Sequence, residues 1–263
     1  MLCWGKSKKE MIHAFHRNHP AATLPGGLPA AGGRRRVFLT GANPFVLRPG
    51  RLLEIAGLIR RYLPEAETIG CFVRVTDTAD KTDRELSALG EAGYDGITIG
   101  AETGDGQSPA FMDKGCQPED ILTQCRRLDR AAIRYSFFYL AGVSGAGRGE
   151  EGALATAALC NQLHPQRIGT SMLTVCPHSA LWREIQQGRW QEAGELEKYR
   201  ELRVLVEHLD IPVVFAALGA SNAVQLQGRL PEQREQLLAA LDRVADALGE
   251  DRLRQYRTGL RHL

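Results

Sequence analysis

The chain has 263 residues, of which 43% are hydrophobic and 24% charged, and its formal net charge is +2. That length can bury a sizeable core, and the near balance of charge gives no general pull toward nucleic acid or an anionic membrane. No apolar run reaches about 18 residues and no apolar region precedes Met1-Leu2-Cys3, so the expectation is a cytoplasmic protein without a membrane span or secretory signal.

The first segment, Ser7–Asn18, reads as a short helix with Met11, Ile12 and Phe15 on one side. A loop rich in Pro, Gly and Ala follows, and regular patterning starts at Arg36. Val37–Thr40 reads as a strand. Leu52, Ile55, Ile59 and Tyr62 recur at helical spacing until Pro64. Thr68–Val75 reads as a strand, Asp83–Ala92 as a helix and Gly96–Gly100 as a buried strand. Pro118 opens a helix whose apolar stripe is Ile121, Cys125, Leu128 and Ala132. Arg134–Ala141 is a strand, Glu150–Leu163 a helix and Arg167–Val175 a strand. Leu196, Tyr199, Leu202, Leu205 and Leu209 form the cleanest helical stripe, and Ile211–Ala217 is the last strand. Pro231 opens a helix with Leu237, Leu241, Val244 and Leu248 on one face, stopped at Gly249, and a final helix starts near Asp251.

Repeated alternation of strand and helix predicts parallel strands with right-handed crossovers. No early nucleotide-binding glycine fingerprint is present, so an open or closed β/α barrel fits better than a doubly wound sheet. In either case function belongs at the C-terminal ends of the strands. Three regions are expected: residues 1–35 as an N-terminal helix and loop, 36–190 as the barrel, and 191–263 as a helical extension with one strand.

The strand ends supply the candidates. Glu102, flanked by Gly100 and Gly104, suits a ligand hydroxyl or amine, and suits equally a Glu that caps its own loop. Gly41-Ala42-Asn43 is a turn able to approach a small polar ligand. Arg74 could clamp a carboxylate, or pair with Asp77 or Asp80. His13, His16 and His19 read as an exposed helix face rather than a metal site. His178 has no Asp or nucleophilic Ser at a telling spacing, no G-x-S-x-G elbow is present, and no Lys stands at a strand end for a Schiff base. The six cysteines are scattered without a C-x-x-C pair, which favours free thiols.

Several runs together resemble the radical S-adenosylmethionine (radical SAM) superfamily: RVFLTGANPFVL, ITIGAETGDGQSPAFMDKG, SFFYLAGVSG and LTVCPHSALW. The second is similar to a bacterial branch that reads G-x-E-S-G and then N/D-K-G. Glu102, Gly104, Asp113, Lys114 and Gly115 match it, with Thr103 in place of Ser. GASNAVQLQGRLPEQRE resembles the short C-terminal extension of that branch, with Ser221, Asn222, Gly228, Leu230 and Pro231 in place. The likeness runs from Arg36 to Leu248.

The resemblance implies an α/β fold, a partial (β/α)6 barrel with a short α/β extension. It implies a 4Fe–4S cluster held by three cysteines after the first strand, with S-adenosylmethionine on the cluster's open iron. It further implies reductive cleavage to a 5′-deoxyadenosyl radical, an unknown substrate, and a reductant such as flavodoxin or ferredoxin. By position it places Gly41, Ala42 and Asn43 near the methionine amino group, Arg74 on the polar floor, and Glu102, Thr103 and Gly104 against the cofactor.

One departure is large. The C-x-x-x-C-x-x-C motif is absent, and only Cys3 stands where it belongs; the family's first strand is missing beside it. One upstream segment would account for both, with Cys3 either the motif's third cysteine or a chance cysteine. Two other readings remain: a relative without a cluster that binds a small molecule or a protein, and an unrelated β/α-barrel lyase or isomerase. A barrel without its first strand is expected to expose strand edges and an apolar helix face.

Overall fold

The computed structural model describes residues 35–41, 43–106 and 116–260. Strand β1 (Arg36–Leu39) leads through a 3-10 turn (Pro44–Val46) to α1 (Pro49–Tyr62) and β2 (Thr68–Val73). Two short helices follow, α2 (Val75–Ala79) and α3 (Asp83–Glu91), then β3 (Ile97–Glu102), α4 (Pro118–Arg130) and β4 (Tyr135–Ala141). Next come α5 (Gly149–Cys160), β5 (Arg167–Met172), α6 (Ala180–Gln186), α7 (Glu195–His208), β6 (Val213–Ala217), β7 (Leu226–Leu230) and α8 (Arg234–Thr258).

The strands form one sheet in chain order. β1 to β6 run parallel, and β7 returns antiparallel on β6. Strict alternation sets the two faces. Tyr135, Phe137, Tyr139 and Ala141 of β4 are buried, as are Ile168, Thr170 and Met172 of β5. They share a core with Leu52 and Ala56 of α1, Leu86 and Leu89 of α3, Ile121, Cys125 and Leu128 of α4, and Leu202 and Leu205 of α7. The helices therefore cover one face, because only that face is continuously apolar. The other face is half-buried. The register sets Thr98 beside Ser136, Phe138 beside Gly169, and Leu140 beside Ser171. Phe72 is 44% exposed on that side, edge-on to Phe38 at 5.2 Å.

This is the parallel α/β architecture expected from the alternation, and the partial barrel that the resemblance implies. Several elements differ in detail. The strand expected to reach Val75 stops at Val73, because Val75 already begins α2. The last helix opens at Arg234 rather than Pro231, since Leu230 still belongs to β7. β7 was not expected; LQGRL is polar at alternate positions because it lies at the sheet's end. Gly249 is the break foreseen, with a left-handed backbone (φ 66°) between two helical stretches. At the end of α1, Leu58 and Tyr62 are exposed, as is Leu63 just beyond it. Among the described residues no helix is long and apolar enough to cross a membrane.

Candidate functional site

The parallel strands direct their C-terminal ends to one side, and the candidates cluster there. Gly41 follows β1 with φ 117°, leading into the turn that carries Asn43. The Asn43 amide Nδ2 donates to Asp77 Oδ2 at 2.6 Å, and the backbone N–H of Arg74 donates to the same oxygen at 2.9 Å. Asp77 is buried and stands at the third position of α2, where a carboxylate caps the free N–H groups of a helix start. Asn43 Oδ1 is buried and has no hydrogen-bond partner among the described residues. A buried carbonyl oxygen without a donor is costly, so a water or a ligand donor fits here. Lys81 closes this corner from below. Its ammonium donates to the Phe45 carbonyl at 2.7 Å and the Asp77 carbonyl at 3.0 Å, over the Phe45 ring. Burial lowers its pKa, against the pull of Asp77.

At the end of β3 the chain leaves regular pairing. The register with β4 shifts between Gly100 and Glu102, and Glu102 takes a left-handed backbone with φ 59°. That conformation costs a residue with a Cβ about 1–2 kcal/mol. Its neighbours compensate by tight contacts. Thr103 Oγ1 accepts from the Asp105 N–H at 3.0 Å, and the Gly104 N–H donates to Thr156 Oγ1 of α5 at 2.7 Å. A Cβ on Gly104 would lie 2.7 Å from Thr156 Cα, so glycine is required there by the approach of α5. The structure thus brings Glu102 to the strand mouth and gives Thr103 and Gly104 a packing role beneath it.

The loop after β4 connects this turn to α7. Arg148 Nη2 pairs with Asp105 Oδ2 at 2.9 Å. The Gly142 N–H donates at 2.8 Å to Glu201, a fully buried carboxyl on α7 that also accepts from the Tyr139 hydroxyl at 2.5 Å. Burial pushes the Glu201 carboxyl up to about 7, despite these two donors and the nearby Lys198.

At the end of β5, Ser221 and Asn222 do structural work. β6 pairs with β5 only as far as Ala216 against Gly169. Beyond that point Ser221 Oγ accepts from the Met172 N–H at 3.0 Å, and Asn222 Nδ2 donates to the Thr170 carbonyl at 2.9 Å. Two side chains thus replace the missing strand partner. His178 lies against Trp182 with ring centroids 5.2 Å apart.

Ala42, the run Asp113-Lys114-Gly115, the N-terminal histidines and Cys3 lie outside the described residues. Of the other cysteines, Cys71, Cys125 and Cys160 are buried, and burial holds all three thiols far above their usual range, Cys71 and Cys160 at about 12. Cys116 is half-buried and Cys176 exposed. Among the described residues no three His, Cys, Asp or Glu side chains come together to hold a metal ion. The described cysteines therefore do not fit a three-thiolate cluster.

The strand-end reading named Glu102, Asn43 and Arg74, with Asp77 only as a partner for Arg74, and did not name Lys81, Asp105, Arg148 or Glu201. Asp77 was legible, three residues after Arg74 at a helix start. Glu201 was not: on α7 it reads as a solvent position until α5 and α8 pack on two sides of the helix.

No protein-family model matches the chain. No curated protein matches it. Among solved structures it is similar to the archaeal Methanocaldococcus infernus Elp3 with an N-terminal deletion, at a TM-score of 0.56 and 11% identity, covering 79% of this chain and 54% of that one. It is also similar to coproporphyrinogen III oxidase (HemN) from Escherichia coli, a radical SAM enzyme, at a TM-score of 0.54 and 16% identity, covering 66% of this chain and 39% of that one. The chain thus spans about half the length of the first and about two fifths of the second. At such identities the likeness is one of fold: this chain has the fold of a radical SAM enzyme.

Proposed function

We propose that the described barrel binds S-adenosylmethionine across the C-terminal ends of its strands, as part of a radical SAM-type protein acting on an unknown substrate. The observation that carries this reading is the buried, unpartnered Asn43 Oδ1 at the end of β1, on a fold shared with a radical SAM enzyme. The ligand offers an ammonium group and ribose hydroxyls, donors that such an acceptor needs. Asp77 fixes the Asn43 amide so that its oxygen, not its nitrogen, is left for the ligand. Glu102, in its left-handed turn, is the second acceptor for a hydroxyl or amine, and Arg74 at the start of α2 is the candidate partner of the carboxylate. Thr103 and Gly104 hold the Glu102 turn on α5.

A 4Fe–4S cluster and a reductant such as flavodoxin or ferredoxin belong to the activity of radical SAM enzymes. The described residues do not hold the cluster; the candidate thiolate, Cys3, lies outside them. A second reading is a ligand-binding relative that works without a cluster.

The test is calorimetric titration of the purified chain with S-adenosylmethionine, repeated for Asn43→Ala. It is followed by anaerobic treatment with iron and sulfide, addition of dithionite as the electron donor, and assay for 5′-deoxyadenosine. Binding weakened by Asn43→Ala, with 5′-deoxyadenosine formed, supports the first reading. The same binding without that product supports the second. No binding by the wild-type chain overturns both.

A further inference from the structure

The loop Gly142–Arg148 joins β4 to α5 at the strand mouth, and most of its hold comes from α7 and the segment before it. The Gly142 N–H donates to Glu201 Oε2 at 2.8 Å, the Ala146 N–H to the Gln191 carbonyl at 2.9 Å, and the Gly147 N–H to Glu197. The Trp190 indole lies against Gly145, where a Cβ would come within 2.9 Å of Nε1. Gly142 keeps a left-handed backbone, φ 89°, to reach Glu201. At the far end of the loop Arg148 grips Asp105, three residues beyond Glu102. Glu201, the loop and the Glu102 turn therefore form one connected chain of contacts.

The groups around Glu201 leave its charge uncompensated. From β4 the Tyr139 hydroxyl points at Oε1, with Thr156 and Cys160 of α5 lying beside that tyrosine. Gly149, the first residue of α5, closes on Oε2, where a Cβ would lie at 2.7 Å. On α7 itself the neighbours are Glu197 and Lys198. Lys198 is committed elsewhere, to Glu192 at 3.0 Å, Glu195 at 3.6 Å and the Leu173 carbonyl at 3.3 Å. Arg257 of α8 completes that network, 2.6 Å from both Glu192 and Glu195. Lys198 and Arg257 already balance Glu192 and Glu195. No cation stands at ion-pair distance from Glu201 among the described residues. An ionised Glu201 thus puts a net negative charge in a dry site.

We propose that Glu201 is a proton-operated positioning residue of the strand mouth. With its carboxyl neutral it holds the Gly142–Arg148 loop on α7, and when it ionises the loop loosens its grip on Asp105 and the Glu102 turn. The direction follows from linkage. The closed loop buries the carboxyl and raises its affinity for a proton, whereas an opened loop returns it to water. Rising pH therefore favours opening, progressively from the ordinary carboxyl range up through about 7. The functional side rests on the strand mouth being the ligand site proposed above; the movement of the loop does not.

Trp190 reports the loop directly. In a Trp4→Phe, Trp182→Phe background its emission is followed from about pH 6 to about pH 8, together with amide exchange of peptides covering 142–148, corrected for intrinsic rates. The expected result is a single transition near neutral pH, with the open fraction rising roughly tenfold across that range. Glu201→Gln, neutral at every pH, is expected to hold the low-pH emission throughout. Tyr139→Phe, which removes a donor to the carboxylate, moves the midpoint upward. The same transition in Glu201→Gln as in the parent chain overturns the proposal, as does an unshifted midpoint in Tyr139→Phe. Affinity for S-adenosylmethionine is read in parallel. A fall over the same pH window supports the positioning role, and an affinity unchanged while the loop opens overturns it. No binding at any pH, with Trp190 still titrating, overturns the ligand reading and leaves the latch supported.

Discussion

Gly104 and Thr156 lie 52 positions apart in sequence and meet in one hydrogen bond, 2.7 Å from the glycine N–H to the threonine hydroxyl. The hydroxyl in turn donates a hydrogen bond to the Gly152 carbonyl at 2.7 Å, so one side chain satisfies the turn after β3 and a turn of α5. Gly104→Ala forces a methyl group against helix backbone and is expected to cost about 1–3 kcal/mol. Thr156→Val leaves a buried N–H unpaired, at a cost of about 1–3 kcal/mol, while Thr156→Ser is nearly neutral. Urea melts of the three variants check this ordering.

On the reading proposed above, Asn43 divides two roles between its amide atoms, Nδ2 toward Asp77 and Oδ1 toward the ligand. Asn43→Ala removes the acceptor offered to the ligand, and the expected loss is roughly tenfold in S-adenosylmethionine affinity, about 1.4 kcal/mol. Asn43→Asp sets a second carboxylate against Asp77, where the amide now stands at 2.6 Å. That variant is expected to be unstable at neutral pH and to recover on acidification, when one carboxyl of the pair takes a proton. Melting curves at two pH values distinguish it from a simple loss of packing.

The pH dependence of folding carries the signature of Glu201. Its folded pKa, about 7, lies above the usual carboxyl value of 4.5 because burial disfavours the charge. The folded chain therefore holds this proton more tightly than the unfolded chain. The contribution is fully present below about pH 4.5 and is lost as pH rises through about 7, up to about 3 kcal/mol in all. Asp95 opposes it. Burial alone would raise that carboxyl, but the Arg134 guanidinium and the N–H groups of Arg134 and Gly96 outweigh burial and hold it low, so its contribution is lost on acidification instead. The difference in unfolding free energy between Glu201→Gln and wild type, measured across this range, isolates the Glu201 part. A flat difference would remove Glu201 as its source.

Ser221 and Asn222 complete β5 by side chain where β6 has ended. Ser221→Ala orphans the buried Met172 N–H and is expected to cost about 1–3 kcal/mol. Asn222→Leu, which removes the donor to the Thr170 carbonyl, is expected to cost a similar amount. Faster amide exchange at Met172 in Ser221→Ala, with distant core amides unchanged, is the specific readout.

Periodicity alone determined that the chain is an α/β protein with parallel strands, since short apolar strand runs alternate along the chain with helical stripes such as those of α4 and α7. It also located the strand ends, and with them Asn43, Arg74 and Glu102, because loops after parallel strands share one side of the sheet. Charge on a helix was the limit of that reading. Lys198 and Glu201 sit at positions that a lone helix would give to water, and Arg257 lies 56 positions beyond Glu201 in sequence order, past β6 and β7. Only tertiary packing of α5 and α8 on α7 removes the water, and removal of water is what turns these side chains into a charge network and Glu201 into a group that titrates near neutrality. Likewise GASN reads as an ordinary turn. Its two polar side chains become strand partners only because β6 stops short of β5, a fact of register that no local pattern encodes.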